Sequence, residues 1–523
     1  MENARALLQQ MLGPAADFRD GQWDAIHLTA NERQRVLVVQ RTGWGKSVVY
    51  FLAARILREQ GAGPSLLISP LLSLMRNQIL ASEKLGVRSV TIHSENIHEW
   101  EKIQKSLESN EVDVLMISPE RLGNGEFLQK LLPLIQGSIG MFVVDEAHCI
   151  SDWGHDFRPD YRRIVRLLRL LPPKVPVLCT TATANDRVVQ DIHEQIPNLH
   201  ILRGPLVRRS LKLFNIKLGT QAERLAWLAQ FLPQLPGSGI VYTLTIGDAR
   251  RVSEFLTQQG ISARSYHADL EGDERIAVEQ QLLDNKVKVL VATVALGMGF
   301  DKPDLGFVIH FQRPGSVVAY YQQVGRAGRA VDSAYGVLLN GVEDDEIQDY
   351  FIRTAFPPLR VMEEVLGLLA KSDTVTLDGI CAELNYSRGA LEKALKLLEV
   401  DGAVQHDSTG YLRTANRWKP DTARSEQVTR HRREELEQIK RYVQHTGCLM
   451  EFLSRALDDP AAAPCGKCMN CTGKTGRQTI SAELIQAATQ FLRKDSFLLE
   501  PRRYWPKSLL KDLEQNLPQA AVK

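Results

Sequence analysis

Short apolar runs rich in valine, isoleucine and leucine recur through the first two-thirds of the chain, and each ends in a polar or glycine-bearing turn. A first group lies at 36–39, 65–69, 112–118, 141–144 and 177–181. A second lies at 211–216, 239–243, 263–267, 287–293, 307–311 and 334–339. Runs this short without polar alternation suit strands buried on both faces, and segments of helical composition such as 48–57 separate them. The pattern predicts two α/β lobes, residues 1–205 and 206–345, each built on a parallel sheet.

The pattern then changes. Pro357-Pro358 interrupts it, and 361–370 reads as a helix inside a connector spanning 346–371. Residues 372–415 read as a winged helix: helices at 377–384 and 387–400, then strands at 403–405 and 411–413 around Asp407-Ser408-Thr409-Gly410. Ser387 is a fitting N-cap for the second helix, and the Thr-Gly pair suits a wing turn. That helix would present Arg388, Lys393 and Lys396 to duplex DNA, although winged helices also serve as protein docking or packing modules, and the short wing with His406 and Tyr411 is a candidate for splitting base pairs. A charged helix at 430–444 opens a helical module at 416–475, and a tail at 476–523 contains Pro501-Arg502-Arg503-Tyr504-Trp505-Pro506.

Composition adds bounds. With 523 residues, 44% hydrophobic and 24% charged, the chain has material for several separate cores. A net charge of +2 means that any nucleic-acid surface must be a local patch balanced by acidic surface elsewhere. The start, Met1-Glu2-Asn3-Ala4-Arg5-Ala6-Leu7-Leu8, lacks the features of a signal peptide, and the longest apolar run, 289–300, stops at Asp301. A cytoplasmic location with no membrane partner is the expectation. Four of seven cysteines, Cys448, Cys465, Cys468 and Cys471, fall within 24 residues, from 448 to 471. In a cytosolic chain such clustering favours a metal over disulfides, and four thiolates close a tetrahedral, structural Zn²⁺ site.

The chemistry centres on the turns. Residues 36–39 lead into Gln40-Arg41-Thr42-Gly43-Trp44-Gly45-Lys46-Ser47 and then a helix, the parts of a phosphate cradle, although Gln40 replaces the usual first glycine. Lys46 would neutralise β- and γ-phosphates, and Ser47 would ligate Mg²⁺. Residues 141–144 lead into Asp145-Glu146-Ala147-His148, placing Asp145 to hold Mg²⁺ and Glu146 to deprotonate an attacking water. Trp153, His155, Phe157, Arg158 and Tyr161 follow, a mixture suited to bases and phosphates. Upstream, Gln22 offers an amide that pairs with an adenine edge. The turns at 69–74, 118–122 and 180–184 offer N–H and hydroxyl groups to a nucleic-acid backbone. In the second lobe Arg326 and Arg329 are three apart, so that on a helix they would share a face, beside the small Gly325, Ala327 and Gly328. Guanidinium groups delivered across a cleft stabilise a transferring phosphoryl group.

In chain order, 18–26, 42–47, Asp145-Glu146-Ala147-His148, Thr181-Ala182-Thr183, Asp301 and Gln322-x-x-Gly325-Arg326-x-Gly328-Arg329 resemble the motifs of superfamily 2 helicases, over roughly residues 15–345. Residues 149–161 resemble the aromatic-rich loop of RecQ helicases, and the cysteine spacing resembles their zinc module. The winged segment precedes the cysteines, an order that resembles the RecQ-like subgroup called RqlH. Members of that subgroup carry a phosphoribosyltransferase-like domain further on; with the chain ending at Lys523, the tail is read as part of a truncated further domain, and no HRDC-like domain is recognisable. Gln323 and Ala330 stand where family members commonly have acidic residues, departures that bear on coupling rather than on ATP hydrolysis.

The resemblance implies two tandem RecA-like lobes and an ATP-driven 3′-to-5′ DNA helicase, acting as a monomer on single-stranded and duplex-junction DNA, in the cytoplasm with the nucleoid. It implies catalysis by Lys46, Asp145, Glu146, Gln322, Arg326 and Arg329. Arg19, Gln22, Thr42, Gly43, Gly45, Ser47 and Asp301 would bind ATP, with Mg²⁺ on Ser47 and Asp145. Ser69, Arg121, Thr293 and Arg388 would join Trp153, His155, Phe157 and Arg158 on DNA. Two other readings fit the residues: an RNA-directed motor, since Asp-Glu-Ala-His is shared with RNA enzymes, and a zinc and winged-helix DNA-binding protein with a vestigial motor.

Overall fold

The computed structural model describes residues 2–494 apart from 71, 125–126, 152–160, 173, 298–299, 408 and 474–478. Met1–Gln348 together with Glu434–Arg493 form one compact unit, and Asp349–Arg433 belong to a second.

The first lobe is a seven-stranded parallel sheet of β1 (Arg35–Val39), β2 (Ser65–Ile68), β3 (Ser89–Ile92), β4 (Val114–Ile117), β5 (Phe142–Asp145), β6 (Val177–Thr181) and β7 (Leu199–Arg203). Its order is β3-β4-β2-β5-β6-β1-β7. Successive residues feed opposite faces: Leu37, Val39, Leu66, Ile68, Phe142 and Val144 pack in one core, and Val36, Val38, Leu67 and Val143 in the other. Burial on both faces is why the runs lack polar alternation. β1, β5 and β6 are neighbours, with Asp145 in register with Thr180. The phosphate-loop turn, the acidic pair and the threonine turn therefore emerge side by side at the carboxyl ends of three adjacent inner strands.

The second lobe has six parallel strands, β8 (Leu211–Lys217), β9 (Gly239–Tyr242), β10 (Ala263–Tyr266), β11 (Val289–Ala292), β12 (Phe307–His310) and β13 (Ala334–Asn340), in the order β10-β11-β9-β12-β13-β8. The cysteine segment packs on this lobe. Met469 sulfur accepts from Asn215 N–H at 3.0 Å, the Tyr320 and Tyr442 rings lie 5.3 Å apart, and Asn215 Nδ2 donates to the Tyr442 carbonyl at 3.1 Å.

In the second unit, helices Leu359–Leu369, Leu377–Glu383 and Arg388–Val400 share a core through Val365, Ile380, Leu391 and Leu395. β14 (Val404–His406) and β15 (Tyr411–Arg413) form the wing, and a bridge from Val375 to Tyr411 extends it. Ser387 caps the second helix, its side chain accepting from Ala390 N–H at 3.3 Å.

Candidate nucleotide and metal sites

The loop between β1 and the helix Lys46–Glu59 is shaped by backbone geometry. Gly45 adopts φ 101°, and a Cβ there would meet Gln22 Nε2 at 2.6 Å. Gln22 is buried, donates to the Trp44 carbonyl at 2.8 Å and accepts the Arg19 N–H at 2.9 Å. The amide offered by the sequence to an adenine edge thus braces the phosphate loop, and Arg19 donates to the Gly43 carbonyl beside it. Lys46 Nζ donates to the Gln40 carbonyl at 3.1 Å. The glycine-to-glutamine departure leaves this backbone contact intact, because only the carbonyl is used.

Asp145 and Glu146 are buried at the end of β5. Asp145 Oδ1 accepts from Thr180 at 2.6 Å, and Oδ2 accepts from Gln78 Nε2 at 3.0 Å. Gln78 also donates to Tyr50 Oη at 2.7 Å. Burial, then the adjacent Glu146 charge, pushes the Asp145 carboxyl up to about 6, while burial pulls Lys46 down despite both carboxylates. A buried carboxylate beside a second one, with Ser47 lining the same cavity, is a donor set that fits a divalent cation such as Mg²⁺. Glu146 itself has φ 51°, a left-handed conformation costly for a residue with a side chain. Its carboxylate lies 3.3 Å from His148 Nδ1, which is also 3.0 Å from Thr181 Oγ1.

Arg326 and Arg329 stand apart from the helical arrangement expected of them. The helix Val317–Val324 ends first, and Gly328 at φ 72° turns the chain away. The pair is therefore presented from a loop rather than from one helix face. Arg326 Nη1 donates to the Phe300 carbonyl at 3.0 Å, and Arg329 pairs with Asp301 at 2.5 Å. Both arginines, with Gln322 and Asp301, line a cavity of about 350 Å³ opposite Gly45, Lys46, Ser47, Asp145 and Glu146. The two lobes touch here: Thr42 Oγ1 donates to the Gly325 carbonyl at 3.0 Å.

The proposed nucleic-acid residues are scattered. Trp153, His155, Phe157 and Arg158 lie outside the described residues. Ser69 is fully buried after β2, so its side chain faces no surface. Arg121 lies over the Trp100 ring at 5.4 Å, and Thr293 is buried after β11. The hydroxyls of Thr180 and Thr181, expected to grip a nucleic-acid backbone, are wholly buried and bonded to Asp145 and His148 instead. A hydroxyl at the end of a central strand sits between neighbouring strand ends, and here those ends carry the acidic motif. Arg388 is exposed but paired with Asp378 at 2.6 Å and Glu392 at 3.0 Å. His406 and Tyr411 stack on each other at 4.2 Å.

The ligand atoms of Cys448, Cys465, Cys468 and Cys471 all lie within 4.8 Å of one another. Zn–S bonds of about 2.3 Å put tetrahedral sulfurs about 3.8 Å apart, so small adjustments close the site. Backbone N–H groups of Leu449, Cys465 and Cys468 point at these sulfurs at 3.1–3.4 Å, an arrangement that favours thiolates. The donor set fits zinc, with no position left open for chemistry.

Sequence reasoning missed Gln78, Tyr50 and Arg208. Gln78 sits inside the helix Leu72–Glu83, and no motif marks it. Arg208 follows β7 in the linker between lobes, where Arg208-Arg209 reads as ordinary basic surface, yet it is 6% exposed.

Comparison with known proteins adds three family profiles: DEAD/DEAH box helicase over residues 19–192, Helicase conserved C-terminal domain over 223–331, and RecQ zinc-binding over 411–472. The chain is 36% identical over 360 residues to the ATP-dependent DNA helicase RecQ of Bacillus subtilis, covering 67% of this chain and 58% of that protein. It is 33% identical over 376 residues to the probable ATP-dependent DNA helicase RecS of the same organism, covering 71% and 74%. RecQ of Haemophilus influenzae matches at 35%, covering 71% of this chain and 59% of that protein, so the chain spans less than two-thirds of either RecQ. Among solved structures, the helicase MrfA bound to DNA aligns with TM-score 0.56 at 17% identity, covering 82% of this chain and 64% of that one. Mycobacterium smegmatis Lhr bound to ssDNA and AMP-PNP aligns with TM-score 0.53 at 20% identity, covering 81% and 61%. These structural likenesses show the fold, two tandem parallel-sheet lobes.

Proposed function

We propose, from the fact that this chain belongs to the RecQ family of helicases, that it hydrolyses ATP between its two lobes to move 3′-to-5′ along single-stranded DNA and open duplexes. One observation carries the reading: Lys46, Asp145 and Glu146 from one lobe and Arg326 and Arg329 from the other line a single cavity. In this scheme the phosphates lie on the loop at 42–47, with Lys46 against the β- and γ-oxygens. Ser47 and Asp145 would hold Mg²⁺, which when bound would neutralise phosphate charge. Glu146 accepts the proton of the attacking water, its carboxylate held by His148, whose Nδ1 also faces Thr181. Arg326 and Arg329 stabilise the charge spreading over the transferring phosphoryl, so hydrolysis requires the lobes to be together.

Cys448, Cys465, Cys468 and Cys471 would hold zinc, which when bound would fix the helix Leu449–Ala456 to the loop that follows. Trp153, His155, Phe157 and Arg158 carry the signal of bound DNA to the acidic motif a few residues upstream, and Arg121 and Arg388 add contacts. The protein acts as a monomer in the cytoplasm.

Strand displacement tests this reading. Duplexes with a 3′ single-stranded tail should be unwound with ATP and those with a 5′ tail should not, and RNA tails should compete poorly. Unwinding from 5′ tails, or equal preference for RNA tails, would contradict it.

A further inference from the structure

Arg208 lies between two of the elements just described and belongs to neither. Its Nη2 donates to both the carbonyl and the hydroxyl oxygen of Thr42 in the phosphate loop. Its Nη1 donates to the Ala327 carbonyl at 3.4 Å, inside the loop that carries Arg326 and Arg329. Thr42 closes the same triangle through its bond to the Gly325 carbonyl. Arg326 is thus flanked by two tethered carbonyls, those of Gly325 and Ala327, both tied to Thr42 or Arg208.

The linker that carries Arg208 is itself held. The Leu206 N–H donates to Asp459 at 2.8 Å and its carbonyl accepts from Tyr321, while Lys467 Nζ donates to the Arg209 carbonyl at 2.9 Å. Asp459 and Lys467 belong to the cysteine segment, so the guanidinium projects from a backbone fixed on both sides. A Cβ at Gly43 would lie 3.5 Å from Arg329 Cδ and 3.7 Å from Arg208 Nη2, so both arginines crowd the crown of the phosphate loop. The Nε–H groups of Arg208, Arg326 and Arg329 are all buried without an acceptor among the described residues. Burial pulls the Arg208 guanidinium down to about 10, with Arg329 and Arg41 adding to this and Tyr321 and Asp301 opposing it. Such crowding of cations is stable only where an anion is received or where the geometry is required.

We infer that Arg208 is a positioning residue for ATP hydrolysis: by holding Thr42 and Ala327 at once, it sets the distance over which Arg326 and Arg329 reach a γ-phosphate. The inference rests on the ATPase reading above. It acts through other residues, so its loss should slow the chemical step rather than weaken nucleotide binding. Arginine suits the task because its planar fork spans several acceptors, which a lysine does not.

The test is steady-state ATP hydrolysis with saturating single-stranded DNA for the full chain, Arg208→Gln, Arg208→Lys, Thr42→Val and the Arg208→Gln/Thr42→Val double variant. Arg208→Gln should lower kcat at least tenfold with KM for ATP within about threefold, and Arg208→Lys should fall between it and the native chain. The loss in the double variant should be smaller than the product of the two single losses, because the Arg208–Thr42 hydroxyl contact is removed in both while the Thr42–Gly325 bond is removed only with Thr42→Val. If Arg208→Gln fails to fold, Arg208→Lys decides alone: reduced kcat at constant KM supports the role. Native kcat in the folded variant, a loss confined to KM, or independent multiplying losses in the double variant would overturn it. If the native chain hydrolyses no ATP, the ATPase reading fails and takes this inference with it.

Discussion

His310 Nε2 lies 2.6 Å from Gln323 Oε1, in a pocket closed by the rings of Tyr242 at 5.4 Å and Tyr320 at 4.8 Å. Burial pulls the imidazole down to about 4, with Gln323 opposing the shift only in part. A histidine depressed in the folded state binds its proton more tightly when unfolded. Its contribution is therefore fully present above the unfolded value near 6.5 and is lost as pH falls from there toward 4. Between pH 7.5 and 4.5 the native chain should lose on the order of 2–3 kcal/mol more than His310→Gln. Thermal unfolding across that range checks this; equal slopes would contradict it. Gln323→Glu, which places a carboxylate against the imidazole, should raise the His310 pKa, as read by imidazole NMR shifts.

The four-cysteine site predicts one zinc per chain by elemental analysis. Cys468→Ser should abolish that zinc and lower stability by several kcal/mol, since about 10–16 kcal/mol of apparent binding energy accompanies structural zinc in small modules. Retention of zinc at full stoichiometry in Cys468→Ser would contradict the assignment.

To meet duplex DNA as proposed, Arg388 would have to give up its ion pairs with Asp378 and Glu392. Such solvent-screened pairs contribute little, so the competition is winnable. Asp378→Asn should tighten duplex binding about two- to fivefold and steepen its salt dependence, measured by fluorescence anisotropy. Unchanged affinity in Asp378→Asn together with Arg388→Ala would remove the second helix from the DNA surface.

Both sheets were legible because their strands are buried on two faces and so appear as unbroken apolar runs, as at β5 and β11. The helix-turn-helix and wing were legible from Ser387 and the turn residues around Asp407, which accepts from Thr409 N–H at 2.8 Å. The phosphate loop, acidic pair and cysteines announced themselves because their chemistry depends on local spacing. What escaped notice depends on distance across the fold. Gln78 reaches Asp145 from 67 residues away, and Arg208 reaches Thr42 from 166. The helical placement of Arg326 and Arg329 failed for the opposite reason: spacing alone suggested a shared face, while Gly328 took the chain off the helix. Thr180 and Thr181 read as ligand-facing because strand ends usually are, yet neighbouring β5 ends at the same level and absorbs them.

Central to the account is hydrolysis of ATP by groups from both lobes, driven by DNA. The most direct measurement is steady-state ATP hydrolysis, with and without single-stranded DNA, for the native chain, Lys46→Ala and Arg326→Ala. DNA should raise the native rate. Arg326→Ala should lose about a thousandfold or more of that rate, the scale at which arginine fingers act, while still binding nucleotide, and Lys46→Ala should be inactive. A native chain that hydrolyses no ATP with or without DNA, or an Arg326→Ala variant as fast as native, would contradict it.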